Sequence, residues 1–257
     1  MPLRLAPTLK DRLTHTTRPL IGMWVCSGSP LVAEICAGAE LDWLLIDMEH
    51  SPNSLESVLR QLQAVAAYPA TPLVRVPDSE VATIKGVLDI GAQNILVPMI
   101  SSAAEARAAV EAVRYPPRGR RGVGSALARS ARWNRVDDYL ANADTHVSLF
   151  VQIETAAGVD AAADIASVDG IDGIFLGPSD LAASMGLLGQ QAHPEVVRAV
   201  HRAFQAGQEA GVNFGVNAFD PTLAQRYLEA GATFILVGAD VTLLARGSED
   251  LRERFMA

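Results

Sequence analysis

Cysteine, lysine and aromatic residues are all scarce in this chain, and each scarcity excludes something. Cys26 and Cys36 are the only cysteines among 257 residues, so neither a multi-disulfide framework nor a four-cysteine zinc site can be built; two ordinary core thiols are expected. Aromatics make up 5% of the chain against 49% hydrophobic residues overall, which leaves the core to Ala, Val, Leu and Ile. That composition suits helices laid against a parallel sheet. A formal net charge of −8, with no long basic helix, argues against a nucleic-acid partner. No apolar run approaches the roughly 20 residues that span a bilayer. The N-terminal segment carries Arg4, Lys10, Arg12 and Arg18 against Asp11 alone, a faint transit-peptide bias, but Pro2, Pro7 and Pro19 break any long amphipathic helix. A short helix near residues 8–14 and a soluble, cytoplasmic protein are expected.

Strand-like and helix-like segments alternate along the whole length with no Ser/Gly/Pro-rich linker between them. The strands expected are 20–25, 43–47, 73–76, 94–98, 147–154, 173–176, 213–217 and 234–238. Helical periodicity falls at 31–39, 54–67, 80–90, 103–114, 158–167, 195–210, 221–229 and 241–255. Such a run of βα units predicts an α/β fold, a (β/α)8 TIM barrel forming one domain over residues 1–257. The dinucleotide fingerprint and the P-loop are both absent. One connection breaks the rhythm, the long loop between strands four and five (115–135), rich in Pro, Gly and Arg. It is read as a cover over the barrel mouth or a subunit contact, its arginines pairing carboxylates, with a solvated surface excursion as the competing account.

The strands end in chemistry. Asp47, Glu49 and His50 crowd the end of strand two, Arg75 ends strand three, Gln152 and Glu154 end strand five, and Gly177-Pro178-Ser179-Asp180 follows strand six. In parallel α/β folds that edge concentrates binding and catalysis. Glu154 and Asp180 follow neighbouring strands and offer oxygen ligands, which suits Mg2+ or Mn2+; the alternative is that each caps the helix after it. Asp47 is placed to orient the His50 imidazole as an acid–base pair. An unpaired Arg75 would be costly to bury, so it meets a substrate carboxylate, a salt bridge to Asp47 or Glu49, or both. The Gly177–Ser179 turn supplies backbone N–H groups for a substrate carboxylate. Lys10 and Lys85 are the only lysines and neither lies at a strand's carboxyl end, so neither is placed to form a Schiff base readily and carbonyl chemistry would require a metal as electron sink.

Four ordered motifs carry a resemblance: Asp-Trp-Leu-Leu-Ile-Asp-x-Glu-His-x-Pro-Asn (42–53), Arg-Tyr-Pro-Pro-x-Gly-x-Arg-Gly-Val-Gly (114–124), Gln-Ile-Glu-Thr (152–155) and Gly-Pro-Ser-Asp-Leu (177–181). Together they resemble the HpcH/HpaI aldolase family, nearest its 4-hydroxy-2-oxoheptanedioate aldolase branch, over almost the whole chain. The resemblance implies a class II pyruvate aldolase dependent on Mg2+, Mn2+ or Co2+, a role in aromatic compound catabolism, and a hexamer built as a trimer of dimers whose final helix packs on a partner. It makes Glu154 and Asp180 the metal ligands, and His50, paired with Asp47, the acid–base group acting through metal-bound water. Arg75 becomes the group that binds the oxo acid and steadies its enolate, and Gln152 lines the site. Met48, where many relatives carry Gly, and the strand-seven end Phe214–Phe219 depart from the pattern; both bear on the aldehyde acceptor. Two other readings are a citrate-lyase β-like acyl-CoA C–C lyase and a non-catalytic barrel kept for binding or assembly.

Overall fold

The computed structural model of the chain describes residues 3–256; Pro2, one of the prolines invoked above, lies outside them. Eight strands, β1 (Leu20–Val25), β2 (Trp43–Asp47), β3 (Thr71–Arg75), β4 (Asn94–Val97), β5 (Ser148–Ile153), β6 (Gly173–Leu176), β7 (Asn213–Asn217) and β8 (Phe234–Ala239), pair in parallel in that order. β8 returns to β1, so the barrel is closed. The helices are α1 (Leu9–Thr14), α2 (Pro30–Ala37), α3 (Leu55–Ala64), α4 (Val81–Asp89), α5 (Ala103–Val113), α6 (Ala156–Asp160), α7 (Ala162–Ala166), α8 (Pro178–Ser184), α9 (Pro194–Ala210), α10 (Pro221–Glu229) and α11 (Asp240–Met256). The expected helix over 158–167 is two short helices meeting at Ala161, whose backbone (φ −91, ψ 3) leaves the helical region.

The strands are buried on both faces, and their alternation sorts the core into two layers. Leu44, Ile46, Val74, Val97 and Val151 pack outward under the helices, while Trp43, Leu45, Leu73, Leu96, Phe150, Phe175 and Phe234 fill the barrel interior. Fully burying one such large side chain is worth roughly 1.5–3 kcal/mol. Phe234 lies edge-on to Trp43 and Phe150, with ring centroids 5.5 and 5.3 Å away. This packing requires glycine at position 215, where a Cβ would sit 2.6 Å from the Phe234 ring. α1 plugs the N-terminal end: Leu9 N donates to Asn94 Oδ1 at 2.7 Å, and Ser148 Oγ reaches the same oxygen. Two residues beyond Leu45, Leu73 and Phe150 come Asp47, Arg75 and Gln152, which therefore cap the interior rows at the opposite, carboxyl end.

The long loop corrects one expectation. It leaves α5 and enters β5, so chain direction places it at the N-terminal end of the barrel, away from its own mouth. There Ala131, Val136, Tyr139 and Ala143 form a small apolar cluster with Leu5 and Tyr115. Its arginines do in part pair carboxylates, Arg118 with Asp144 and Arg120 with Glu111, the latter at 3.1 Å. Arg121 is fully buried with its guanidinium 4.6 Å above the Tyr115 ring.

Candidate active site

Asp47 and Arg75 are direct neighbours in the β2–β3 register. Arg75 Nε donates to Asp47 Oδ1 at 2.8 Å, Nη1 ion-pairs with Glu49 Oε2 at 2.7 Å, and the guanidinium lies 4.4 Å from the Trp24 ring centroid. A buried charge is tolerable when paired and stacked in this way. Nη2 takes part in neither pair. The ring is itself fixed, Trp24 Nε1 donating to Asn217 Oδ1 at 2.8 Å.

The expected Asp47–His50 side-chain pair takes a different form. Asp47 accepts from the backbone N–H groups of Glu49 (3.0 Å) and His50 (3.1 Å), folding the turn after β2 onto its own carboxylate. With Arg75 also on Oδ1, its acceptor capacity is spent on holding the turn. The carboxylate near the imidazole is Glu49, Oε2 lying 3.9 Å from His50 Nε2. The imidazole is 67% exposed, so it is free to meet a ligand in the mouth.

Glu154, buried just past β5, accepts from Met99 N at 2.8 Å and from the Gln152 amide. Burial pushes its carboxyl above the usual range; those two donors oppose the shift, and the negative charges of Glu49 and Asp180 add to it. Glu49 is raised too, chiefly by burial, against the pull of Arg75 and His50. Neither suspected helix cap is found. Thr155, not Glu154, caps α6 through its hydroxyl. Pro178 stands at the first helical position of α8, which puts Asp180 inside the first turn, exposed and with no capping bond, where a cap would have required the helix to begin at Leu181. Gly177 precedes it against Glu154, where a Cβ would lie 2.8 Å from Glu154 Oε2.

Asp47, Arg75, Gln152, Glu154, Asp180, His50 and the Gly177-Pro178-Ser179 turn thus all belong to the carboxyl end of the barrel. Three carboxylates feel one another's charge there, and buried Gln152 Oε1 has no hydrogen-bond partner among the described residues. An oxygen-rich, over-negative cluster of this kind fits a hard divalent cation, which Glu154 and Asp180 could hold. Among the described residues no three of His, Cys, Asp and Glu form a preformed metal cluster. Sequence reasoning missed Trp24 and Met99, and noted the strand-seven end that holds Asn217 without the role of that side chain in fixing Trp24. A Trp at the inward end of β1 was a usable signal; nothing in the sequence marks Met99, which reaches Glu154 through its backbone at φ 58.

Known proteins bear directly on this geometry. The family model described as HpcH/HpaI aldolase/citrate lyase matches residues 20–247. A protein of Salmonella dublin named 4-hydroxy-2-oxo-heptane-1,7-dioate aldolase is 52% identical over 248 residues, covering 96% of this chain and 94% of that protein. Among solved structures, an HpcH/HpaI aldolase/citrate lyase family protein from Burkholderia cenocepacia J2315 superposes with a TM-score of 0.92 at 42% identity, covering 97% of this chain and 99% of the other. The HpcH/HpaI aldolase from Desulfitobacterium hafniense DCB-2 gives 0.86 at 28% identity, with 96% and 98% covered. With matched residues running from β1 into α11, the chain belongs to the HpcH/HpaI aldolase/citrate lyase family.

Proposed function

We propose that the protein is a divalent-metal-dependent aldolase, joining or parting a pyruvate-type 2-oxo acid and an aldehyde across the C–C bond of a 4-hydroxy-2-oxo acid. The observation that carries this reading is the meeting of a buried, ion-paired Arg75 with the carboxylates of Glu154, Glu49 and Asp180 at a mouth that holds no lysine. Both lysines belong to the other end: Lys10 pairs with Asp172, just before β6, at 2.6 Å, and Lys85 reaches Gly122 of the long loop. An enamine route therefore has no nucleophile.

Glu154 and Asp180 would hold the cation, Mg2+, Mn2+ or Co2+, whose charge lowers the cost of an enolate. Arg75 binds the carboxylate and keto oxygens of the oxo acid through Nη2, held in plane by Asp47, Glu49 and Trp24. Gln152 and the Gly177-Pro178-Ser179 turn line the same end; Pro178 has no N–H and Gly177 N donates to Ile153 O at 3.2 Å, so the turn's free backbone donor is that of Ser179. In cleavage, the C4 hydroxyl loses its proton toward His50, the C3–C4 bond breaks, the aldehyde leaves and the electron pair moves onto the C2 oxygen beside Arg75. The enolate then takes a proton at C3. Synthesis runs these steps backwards, beginning with removal of a C3 proton by His50.

Chelation is expected to abolish activity and Mg2+, Mn2+ or Co2+ to restore it. Borohydride trapping of a pyruvate adduct on Lys85 would overturn the assignment. Glu154→Ala and Asp180→Ala are each expected to lose cation affinity by titration calorimetry with little change in circular dichroism. Gly177→Ala should weaken the same affinity on the order of 10–100-fold, because its methyl group displaces the Glu154 carboxylate; wild-type Mg2+ binding in this variant would disconnect the turn from the cation.

The proposal extends to a hexamer built as a trimer of dimers. Along α11 only Asp240 is buried, while Leu243, Leu244, Leu251 and Phe255 are exposed, an apolar face that suits a partner subunit. Charged substitutions at Leu244 and Leu251 are expected to lower the native mass in light scattering. Among the described residues no helix is long and apolar enough to cross a membrane, and the free thiols of Cys26 and Cys36 suit the reducing cytoplasm.

A further inference from the structure

The N-terminal end of the barrel carries a second concave feature, formed where the N-terminal segment, the chain between α3 and β3, and the long loop meet, and unused by the aldolase chemistry. A cavity of about 620 Å³ opens there, lined by Arg4, Arg12, Arg129 and Arg132 and by no aspartate or glutamate. In a chain of net charge −8, four guanidinia around one hollow run against the overall balance. Arg12 is accounted for: it donates to Asp42 O at 2.7 Å and lies 3.6 Å from Asp42 Oδ1. Arg114, Arg118, Arg120 and Arg121, near or in the same loop, each face a carboxylate. Arg129 and Arg132 face none among the described residues. Their partners are neutral carbonyls, Ile90 O at 3.1 Å from Arg129 Nη1 and Arg129 O at 2.5 Å from Arg132 Nη1.

The two guanidinia also crowd each other. A Cβ at Gly91 would lie 2.6 Å from Arg129 Nη1 and 2.9 Å from Arg132 Nη1, so both charges flank one glycine. Burial lowers both pKa values, that of Arg129 to about 10 with the charge of Arg132 adding to the effect. The arrangement is held against backbone strain: Arg132, Trp133 and Asn134 follow one another at φ 49, 56 and 59, a left-handed run that costs free energy at Arg and Trp in particular. Half-buried like charges without a counter-ion are unfavourable, and a ligand that accepts from both forks relieves the desolvation and the repulsion together.

We propose that this cavity is a binding site for a small multivalent oxyanion, phosphoryl or paired carboxylate, bridging Arg129 and Arg132 with Arg4 at the rim. Its volume falls in the range of small-molecule pockets, and the proposal stands whether or not the mouth is an aldolase site. The test is calorimetric titration of the purified protein with inorganic phosphate and, separately, with succinate, at matched ionic strength and with saturating pyruvate present to occupy the mouth. Saturable binding of one anion per chain is expected, weakened at least ~10-fold in Arg129→Gln and Arg132→Gln. Arg4→Glu should weaken it too, and this exposed side chain bonds to nothing else among the described residues, so the test survives if a loop variant fails to fold. Tighter phosphate than succinate identifies a phosphoryl ligand, and the reverse a dicarboxylate. Wild-type binding in all three variants, or heats no larger than those of chloride, overturns the proposal. So does a lower native mass in the variants without loss of anion binding, which would assign the arginines to a subunit contact.

Discussion

His50→Ala is expected to lower turnover ~10²–10⁴-fold, the usual contribution of a positioned acid–base group, while the fold and cation affinity survive. Survival follows from geometry. The imidazole is mostly exposed, and the turn it stands on is held through the His50 backbone N–H, which alanine keeps. The measurement is solvent exchange of pyruvate's C3 protons by NMR. Exchange at the wild-type rate would remove His50 from the proton-transfer step. Asp47→Asn and Glu49→Gln then divide the supporting roles. Asp47→Asn should act mainly by loosening the turn and Arg75, since its carboxylate faces backbone and guanidinium. Glu49→Gln removes the charge nearest the imidazole.

Arg75→Ala should cut kcat/KM on the order of 10–100-fold from the lost charge-assisted hydrogen bond alone, and further if that contact strengthens as the enolate forms. Arg75→Lys should lie between, keeping charge without the planar fork. The defect should be equal for every aldehyde, because the oxo acid is common to all. A changed ranking of aldehydes with intact proton exchange would instead place Arg75 in the acceptor pocket. A stability cost is expected as well. Removing the guanidinium strands Asp47 and Glu49 beside each other, and breaking a buried pair typically costs ~3–5 kcal/mol, here reduced because Asp47 keeps two backbone donors. The thermal midpoint of Arg75→Ala should therefore fall below that of Arg75→Lys.

The barrel was legible because its strands are short apolar runs buried on both sides, which sequence shows directly; residues 20–25, 43–47, 173–176 and 213–217 match the observed bounds. β3 begins earlier than its apolar run suggests, since Thr71 N reaches Asp42 O and pulls the neighbouring Pro72 into the register. The membership of the mouth was legible for the same reason: charge at a strand's carboxyl end cannot be core. How those side chains divide their bonds was not. Spacing places Asp47 three residues before His50 but cannot tell whether a carboxylate turns to the imidazole or to the backbone N–H, and here the local turn wins. The reading of the long loop as a cover over the mouth failed because arginine and glycine content speaks of function, whereas only the order helix, loop, strand says which end of a barrel a segment occupies. Met99 acts through its peptide group, and no side-chain pattern reports that.

The rings inside the barrel carry a consequence for traffic through the molecule. Phe234 touches Trp43, Phe150 and Phe175 at centroid separations of 5.5, 5.3 and 5.8 Å, and all four side chains are fully buried. They form a bulkhead across the axis, with α1 sealing the hull beneath it. With the axis filled by apolar side chains at this level, what reaches the mouth enters and leaves by the mouth. An anion held at the far end is insulated from the chemistry along the axis. It can be heard there only by a detour, through the outer helices or across to another copy of the chain.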